Sequence, residues 1–144
     1  MAGPLRAPLL LLAILAMTLA MTLAKSVAKN SNRLGGMEEA DVNDDEVQRA
    51  LDFATSKYNE ESNDTYYSQV RQVVRARQQA VAGTNYFFYV KMGRTTCTKS
   101  QPNLDNCPFQ EQPRQKREEL CSFEIYSVPW EDSMTLVKSS CRKA

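Results

Sequence analysis

The chain has 144 residues, a formal net charge of +1 and no histidine. That length suits one domain with a buried core, and a charge near zero leaves no general electrostatic footprint for nucleic acid. The missing histidine excludes Ser-His-Asp and Cys-His catalysis and removes the commonest metal ligand; with no glycine-rich phosphate loop and no concentrated acid pair, no enzyme activity, metal or cofactor is expected.

The N-terminus reads as a secretion signal. Arg6 gives a positive start, and Leu9 to Leu23 is apolar except for Thr18 and Thr22. A run this short, followed by Lys25, Lys29 and Asn30, fits a cleaved signal better than a membrane span. Residues 1–24 are assigned to the signal, with cleavage after Ala24 or Ala28; an uncleaved anchor is the alternative. The mature protein is expected outside the cell, with no stable membrane association. Residues 25–36 carry no periodic apolar pattern and read as a flexible arm. Within it, Arg33-Leu34-Gly35-Gly36 offers an apolar anchor followed by two glycines that let backbone lie close to a partner. A plain linker is the competing reading. Residues 37–144 form the folded domain.

Asn43 with Glu46 three residues on predicts a capping box and a helix start. Asp44, Asp45 and Glu46 place negative charge at the positive end of the helix dipole. Val47, Ala50, Leu51, Ala54 and Tyr58 share one face, with Phe53 beside it; Gln48, Arg49, Asp52 and Lys57 face water. The pattern decays from Asn59 to Asp64. Asn63-Asp64-Thr65 is an N-glycosylation sequon.

From Tyr66 the period becomes two. Val70, Gln72 and Val74 alternate with Arg71, Val73 and Arg75. Arg71, Arg75 and Arg77 read as a solvated strand face, with no aromatics interleaved for stacking on nucleic acid. A second strand, Thr84 to Cys97, is apolar on both faces from Tyr86 to Met92, so one face must meet the helix. Between the two strands lies Gln79-Ala80-Val81-Ala82-Gly83. Hairpin tips favour Asn, Asp and Gly, yet this one is apolar. It is either a tight turn with Gly83 at positive φ or a prow that presses into another molecule. Val81 is β-branched at a tight tip, where backbone strain is expected.

Ser100 to Glu119 is a long polar connection, and its charge run from Arg114 to Glu119 reads as solvated. Leu120 to Val128 alternates again, with Cys121, Phe123, Ile125 and Ser127 on one side. Pro129-Trp130 ends that strand, and Glu131, Asp132 and Ser133 are turn residues. A lone Trp is usually a core anchor, but this one follows a Pro at a turn, where exposure is costly without a partner. Alternate turns of an antiparallel meander share an end of the sheet, so the turns at 79–83 and 129–133 should lie side by side. Met134 to Cys141 is the last strand. Four cysteines, Cys97, Cys107, Cys121 and Cys141, allow three pairings. The sequential one closes two local loops, each stabilising by roughly 3 kcal/mol on loop-closure entropy. No closely spaced Cys pair suggests zinc. The predicted fold is α+β: one long helix across a curved antiparallel sheet of four strands, with a short fifth near the arm.

These features together resemble the type 2, secreted cystatins. Gln79-Ala80-Val81-Ala82-Gly83 is similar to their Q-x-V-x-G loop, Pro129-Trp130 to their second loop, and the glycine of Leu34-Gly35 to their N-terminal binding glycine. The four cysteines resemble that family's two disulfides, and the likeness covers the whole chain. It implies competitive, reversible inhibition of papain-like cysteine proteases such as cathepsins B, H, L and S. Leu34 would enter the second non-primed pocket and Arg33 the third, while the two loops fill the cleft beside the catalytic cysteine. One departure is Arg33, where the family usually has a second apolar residue before the glycine; it bears on selectivity. The resemblance also implies an independent inhibitory site for legumain at Asn63, which a glycan on the sequon would block, with an ordinary exposed loop Asn as the competing reading; it implies too a swapped dimer beside the monomer, formed by opening the first hairpin. A non-inhibitory secreted binding protein of the same fold is the alternative; loss of Gly83 or Trp130 would favour it, and both are present.

Overall fold

The structure is a computed structural model and describes residues 36–144. The signal at 1–24, its cleavage sites, and Arg33, Leu34 and Gly35 lie outside the described residues. Met37–Ala144 forms a compact unit. Its elements are β1 (Met37–Glu39), α1 (Asp45–Glu61), β2 (Tyr66–Val81), β3 (Gly83–Thr98), β4 (Glu118–Val128) and β5 (Ser133–Lys143). The five strands form one antiparallel sheet in chain order, β1-β2-β3-β4-β5.

The helix starts one residue later than a capping box at Asn43 predicts. Asp44 is the N-cap, and its carboxylate accepts the Glu46 N–H at 2.8 Å. The Asn43 N–H is satisfied instead by Asp41 Oδ1. Asp and Asn cap equally well, so the tie is broken by the chain's entry through the 41–44 turn. The helix also runs on through Asn59 to Glu61, past the point where the apolar stripe decays. Asn59 is buried: its amide nitrogen donates to the Thr55 and Ser68 carbonyls, and its side-chain oxygen accepts the Ser68 N–H. A polar side chain thus clamps the last helical turn to the start of β2, which hydrophobic patterning could not show.

The core lies between α1 and one face of the sheet. Val47, Ala50, Leu51 and Ala54 from the helix meet Ala76, Tyr86, Phe88, Val90, Met92, Cys121, Phe123 and Ile125. Tyr58 packs edge-on against Phe123. Burial alternates along β3 and β4, as period two requires. It fails along β2, where the pairing shifts between Val70 and Gln72 and again between Val73 and Arg75. These irregularities bend the strand and leave Val73 half-buried while Val74 is exposed.

The arginine face is solvated at Arg71 and Arg75, as expected, but aromatics do lie beside it. Phe87 pairs opposite Arg77, Tyr89 opposite Arg75, and the Arg71 guanidinium stacks over Phe109. Aromatics absent from β2 itself are supplied by its neighbours. The charges are engaged locally: Arg71 with Glu111 and Arg75 with Glu39.

Disulfides join Cys97 to Cys107 and Cys121 to Cys141. The first closes the 98–106 loop beside β3, and the second crosslinks β4 to β5, where the two cysteines are cross-strand partners.

Candidate functional site

The two hairpin turns singled out above stand together at one end of the sheet. In the first, Gln79 pairs with Asn85, Ala80 with Thr84 and Val81 with Gly83, leaving Ala82 alone at the tip. The reversal needs a left-handed residue, and Gly83 supplies it at φ 103°. Val81 is ordinary extended backbone within β2, so the strain expected there is absent. Val81 is 45% exposed.

In the second, β4 ends at Val128, which is buried, and Pro129–Glu131 form one short 3₁₀ turn. The proline's fixed φ suits that first position. Asp132 closes the turn in the left-handed region at φ 50°, with its N–H donating to the Pro129 carbonyl. Asp tolerates this conformation better than most residues. The turn throws Trp130 outward: it is 70% exposed, far from the buried anchor a lone Trp usually provides.

What holds the two tips in place is β3 against β4. Thr84 pairs with Ser127, directly below both turns. Gly83 lies so close to β4 that a Cβ there would stand 2.5 Å from the Ser127 carbonyl oxygen. The Tyr126 hydroxyl donates to the Ala82 carbonyl. Sequence reasoning missed Tyr126 and Ser127 as parts of the site; their signal was their position just before the second turn. It also missed Met37, which pairs opposite Gln79 and is 44% exposed. Met37, Val81 and Trp130 give this end of the sheet its exposed apolar side chains. Leu34 and Gly35 precede β1 in sequence, and the structure does not place them.

Asn63 is at the other end. It is exposed, in the loop between α1 and β2. Its neighbour Asp64 is tied down: Arg94 Nε donates to Asp64 Oδ2 at 2.6 Å, and Asp64 Oδ1 accepts the Tyr66 N–H. Burial would push the Asp64 carboxyl up, but the Arg94 hydrogen bond, the Tyr66 N–H and the guanidinium charge outweigh it and hold it below the usual range. Nearby, burial and a hydrogen bond to Glu119 push the Tyr58 phenol well up. A cleft of about 1280 Å³ opens here, lined in part by Asn63, Arg94, Lys116 and Glu119. It is polar and open to water, unlike the apolar end. Among the described residues no cluster of His, Cys, Asp or Glu could hold a metal ion.

Residues 35–130 match the cystatin domain. The chain is 63% identical to cystatin-C of Saimiri sciureus and 60% identical to cystatin-C of Homo sapiens, each over the full length of both chains. It is 60% identical to human cystatin-S over 76% of this chain and 78% of that one. Among solved structures, dimeric human cystatin F matches with a TM-score of 0.70 at 32% identity, covering 76% of this chain and 88% of that chain. The domain match, the full-length identity and the shared fold agree: the chain belongs to the cystatin family, as a type 2 cystatin similar to cystatin C.

Proposed function

We propose that this cystatin inhibits papain-like cysteine proteases, cathepsins B, H, L and S among them, by laying one end of its sheet across the active-site cleft. The observation that carries the reading is the pairing of two exposed apolar tips, Val81 and Trp130, over the shared Thr84–Ser127 base. Gln79–Gly83 and Pro129-Trp130 enter the cleft on either side of the catalytic cysteine. Arg33, Leu34 and Gly35 occupy the non-primed subsites. The backbone of both turns is already ordered by the sheet, so docking loses little conformational entropy. No carbonyl need be offered to the nucleophile, and the chain acts as an inhibitor, not an enzyme. A standard protease–inhibitor interface buries about 800 Å² per partner, enough for tight binding when the central contacts are good.

The same reading covers the rest of the chain. Residues 1–24 direct secretion and are removed after Ala24 or Ala28; residues 25–36 are the inhibitory arm. No helix among the described residues is long and apolar enough to cross a membrane. Asn63 serves as a second site, for legumain, when it carries no glycan; a glycan on its sequon blocks that site. Opening the hairpin at Gln79–Gly83 gives a swapped dimer in which that turn becomes continuous strand and cathepsin inhibition is lost. The deciding experiment is titration of papain and cathepsin B with the monomer beside Trp130→Ala and Gly35→Ala. Weakened inhibition by both variants, each folded as the parent, supports the wedge; unchanged inhibition by either removes that part from it.

A further inference from the structure

The connection between β3 and β4 ends in Arg114-Gln115-Lys116-Arg117, and Glu118 opens β4. A charge run is usually just a solvated surface, and residues 114–117 are all exposed. This run has a more specific pattern. Basic side chains stand at the first, second and fourth positions before the Arg117–Glu118 bond, and none stands at the third.

We propose that Arg117–Glu118 is a processing site for a calcium-dependent serine endoprotease of the secretory route, of the class that cuts after Arg-X-Lys-Arg. Such an enzyme reads a short extended segment through acidic pockets, with main-chain hydrogen bonds of the strand-addition kind. Arg114, Lys116 and Arg117 supply the three cations. The segment is not extended in the folded protein, so it must open first. Gln115 and Lys116 both donate backbone N–H groups to the Gln112 carbonyl, Arg94 N–H donates to the Arg117 carbonyl, and Arg94 Nη1 donates to the Gln115 carbonyl. Lys116 is also paired with Glu118. Arg94 belongs to β3, and Glu118 opens β4 opposite Gly93 with its carbonyl accepting the Ala144 N–H, so the end of that ladder must fray together with the turn while the rest of the sheet stays paired. The reaction is a hydrolysis. Water's oxygen joins the Arg117 carbonyl carbon, the C–N bond to Glu118 breaks, and the products are a carboxylate on Arg117 and an ammonium on Glu118.

The disulfide pattern gives the cut its consequence. Cys97–Cys107 lies wholly before the scissile bond and Cys121–Cys141 wholly after it. No covalent link then joins residues 118–144, which carry Trp130, to the part that carries Val81. The two pieces stay associated through the β3–β4 ladder, from Gly93 opposite Glu118 to Thr84 opposite Ser127, and through buried Cys121, Phe123 and Ile125. The nicked protein keeps both tips while folded. Once unfolded and dilute, it must reassemble from two molecules, and its activity is lost.

The proposal rests on the secretory route given above, and the test separates the two. The full chain is expressed in cells with and without the endoprotease, and the secreted protein is analysed by N-terminal sequencing and by an unreduced denaturing gel. An N-terminus at Lys25 or Lys29 reports signal removal. A second one at Glu118, with two unreduced bands, reports the cut. Arg114→Ala should slow the cut roughly a hundredfold, because it removes one of the three cations read by the enzyme's acidic pockets while leaving Lys116-Arg117 for any trypsin-like protease. Equal cutting of Arg114→Ala, or the same cut in cells lacking the enzyme, overturns the proposal. Purified protein is also treated with the enzyme and calcium, beside a peptide spanning residues 110–122. Cleavage of the peptide with the folded protein left intact overturns it as well, whether or not the chain is secreted.

Discussion

The Tyr126 hydroxyl donates a hydrogen bond to the Ala82 carbonyl, so a side chain of β4 braces the tip of the β2–β3 hairpin. The two residues are 44 positions apart in sequence, and their contact exists only because β4 pairs alongside β3. Removing the hydroxyl should loosen the tip without disturbing the core. A net hydrogen bond contributes about 1 kcal/mol, so Tyr126→Phe should weaken papain inhibition about fivefold. The same loss should lower its urea midpoint modestly, by on the order of half a molar. Inhibition kinetics and a denaturation curve on the same sample check both halves.

Gly83 faces a harder constraint. At φ 103° a side chain is strained, and its Cβ would meet the Ser127 carbonyl oxygen. Gly83→Ala should cost about 1–3 kcal/mol from the backbone conformation alone, or force the hairpin away from β4. Either outcome predicts a lower unfolding midpoint together with inhibition weakened by more than about tenfold. Urea unfolding and papain titration measure the two effects.

Trp130 should behave in the opposite way. With 70% of its surface exposed, the indole adds little to the folded monomer. At the centre of an interface an aromatic anchor is worth roughly 2–4 kcal/mol. Trp130→Ala should therefore leave the melting temperature unchanged and weaken cathepsin B and papain inhibition roughly 30- to 1000-fold. Most of the change should lie in the dissociation rate. A fall in melting temperature of several degrees would instead mean that Trp130 is structural.

The Arg94–Asp64 pair sets part of the acid response. Burial opposes ionisation of Asp64, but the Arg94 hydrogen bond and charge win, so its folded pKa is depressed. A depressed carboxylate contributes stability that is complete above its unfolded pKa, about 3.9, and disappears as pH falls through the folded value. Arg94→Gln should thus lower the urea midpoint at pH 7, with the gap to the parent closing as pH falls below about 4. A constant gap across pH would show that Arg94 acts through packing on Tyr66, over whose ring it lies.

Asn63 should act independently of the apolar tips. β2 has 16 residues between its Asn63 end and its Val81 end, which is roughly 50 Å of strand. A glycan on Asn63 should abolish legumain inhibition and leave cathepsin inhibition unchanged. Legumain and cathepsin assays before and after enzymatic glycan removal make the comparison; no difference for legumain on fully glycosylated protein would refute the link.

Where local pattern governs structure, the sequence was a sound guide. Val47, Ala50, Leu51 and Ala54 marked the buried helix stripe, and Cys121, Phe123, Ile125 and Ser127 marked the inner face of β4. Placing the turns at 79–83 and 129–133 together followed from meander geometry, and the structure puts them there. Three things were hidden. Asn43 and Asp44 are equivalent as caps until the chain's entry decides between them. The shifts around Val70 and Val73 leave no mark on composition. Tyr126, Met37 and Asn59 matter through partners distant in sequence, and nothing in a single chain's order of residues announces such pairs. Leu34 and Gly35 stay where the resemblance put them, because the described residues begin at Gly36.

The ladder between β3 and β4 runs from Thr84–Ser127 to Gly93–Glu118 without a register shift, whereas β2–β3 is interrupted and β4–β5 shifts once. The spacing between Val81 and Trp130 is therefore gauged by main-chain geometry, like two prongs on one rigid handle. Changes among the core side chains can make the molecule easier to melt while leaving that gauge intact. Which enzymes it fits can then vary through residues at the prongs alone, without redesign of the body that carries them.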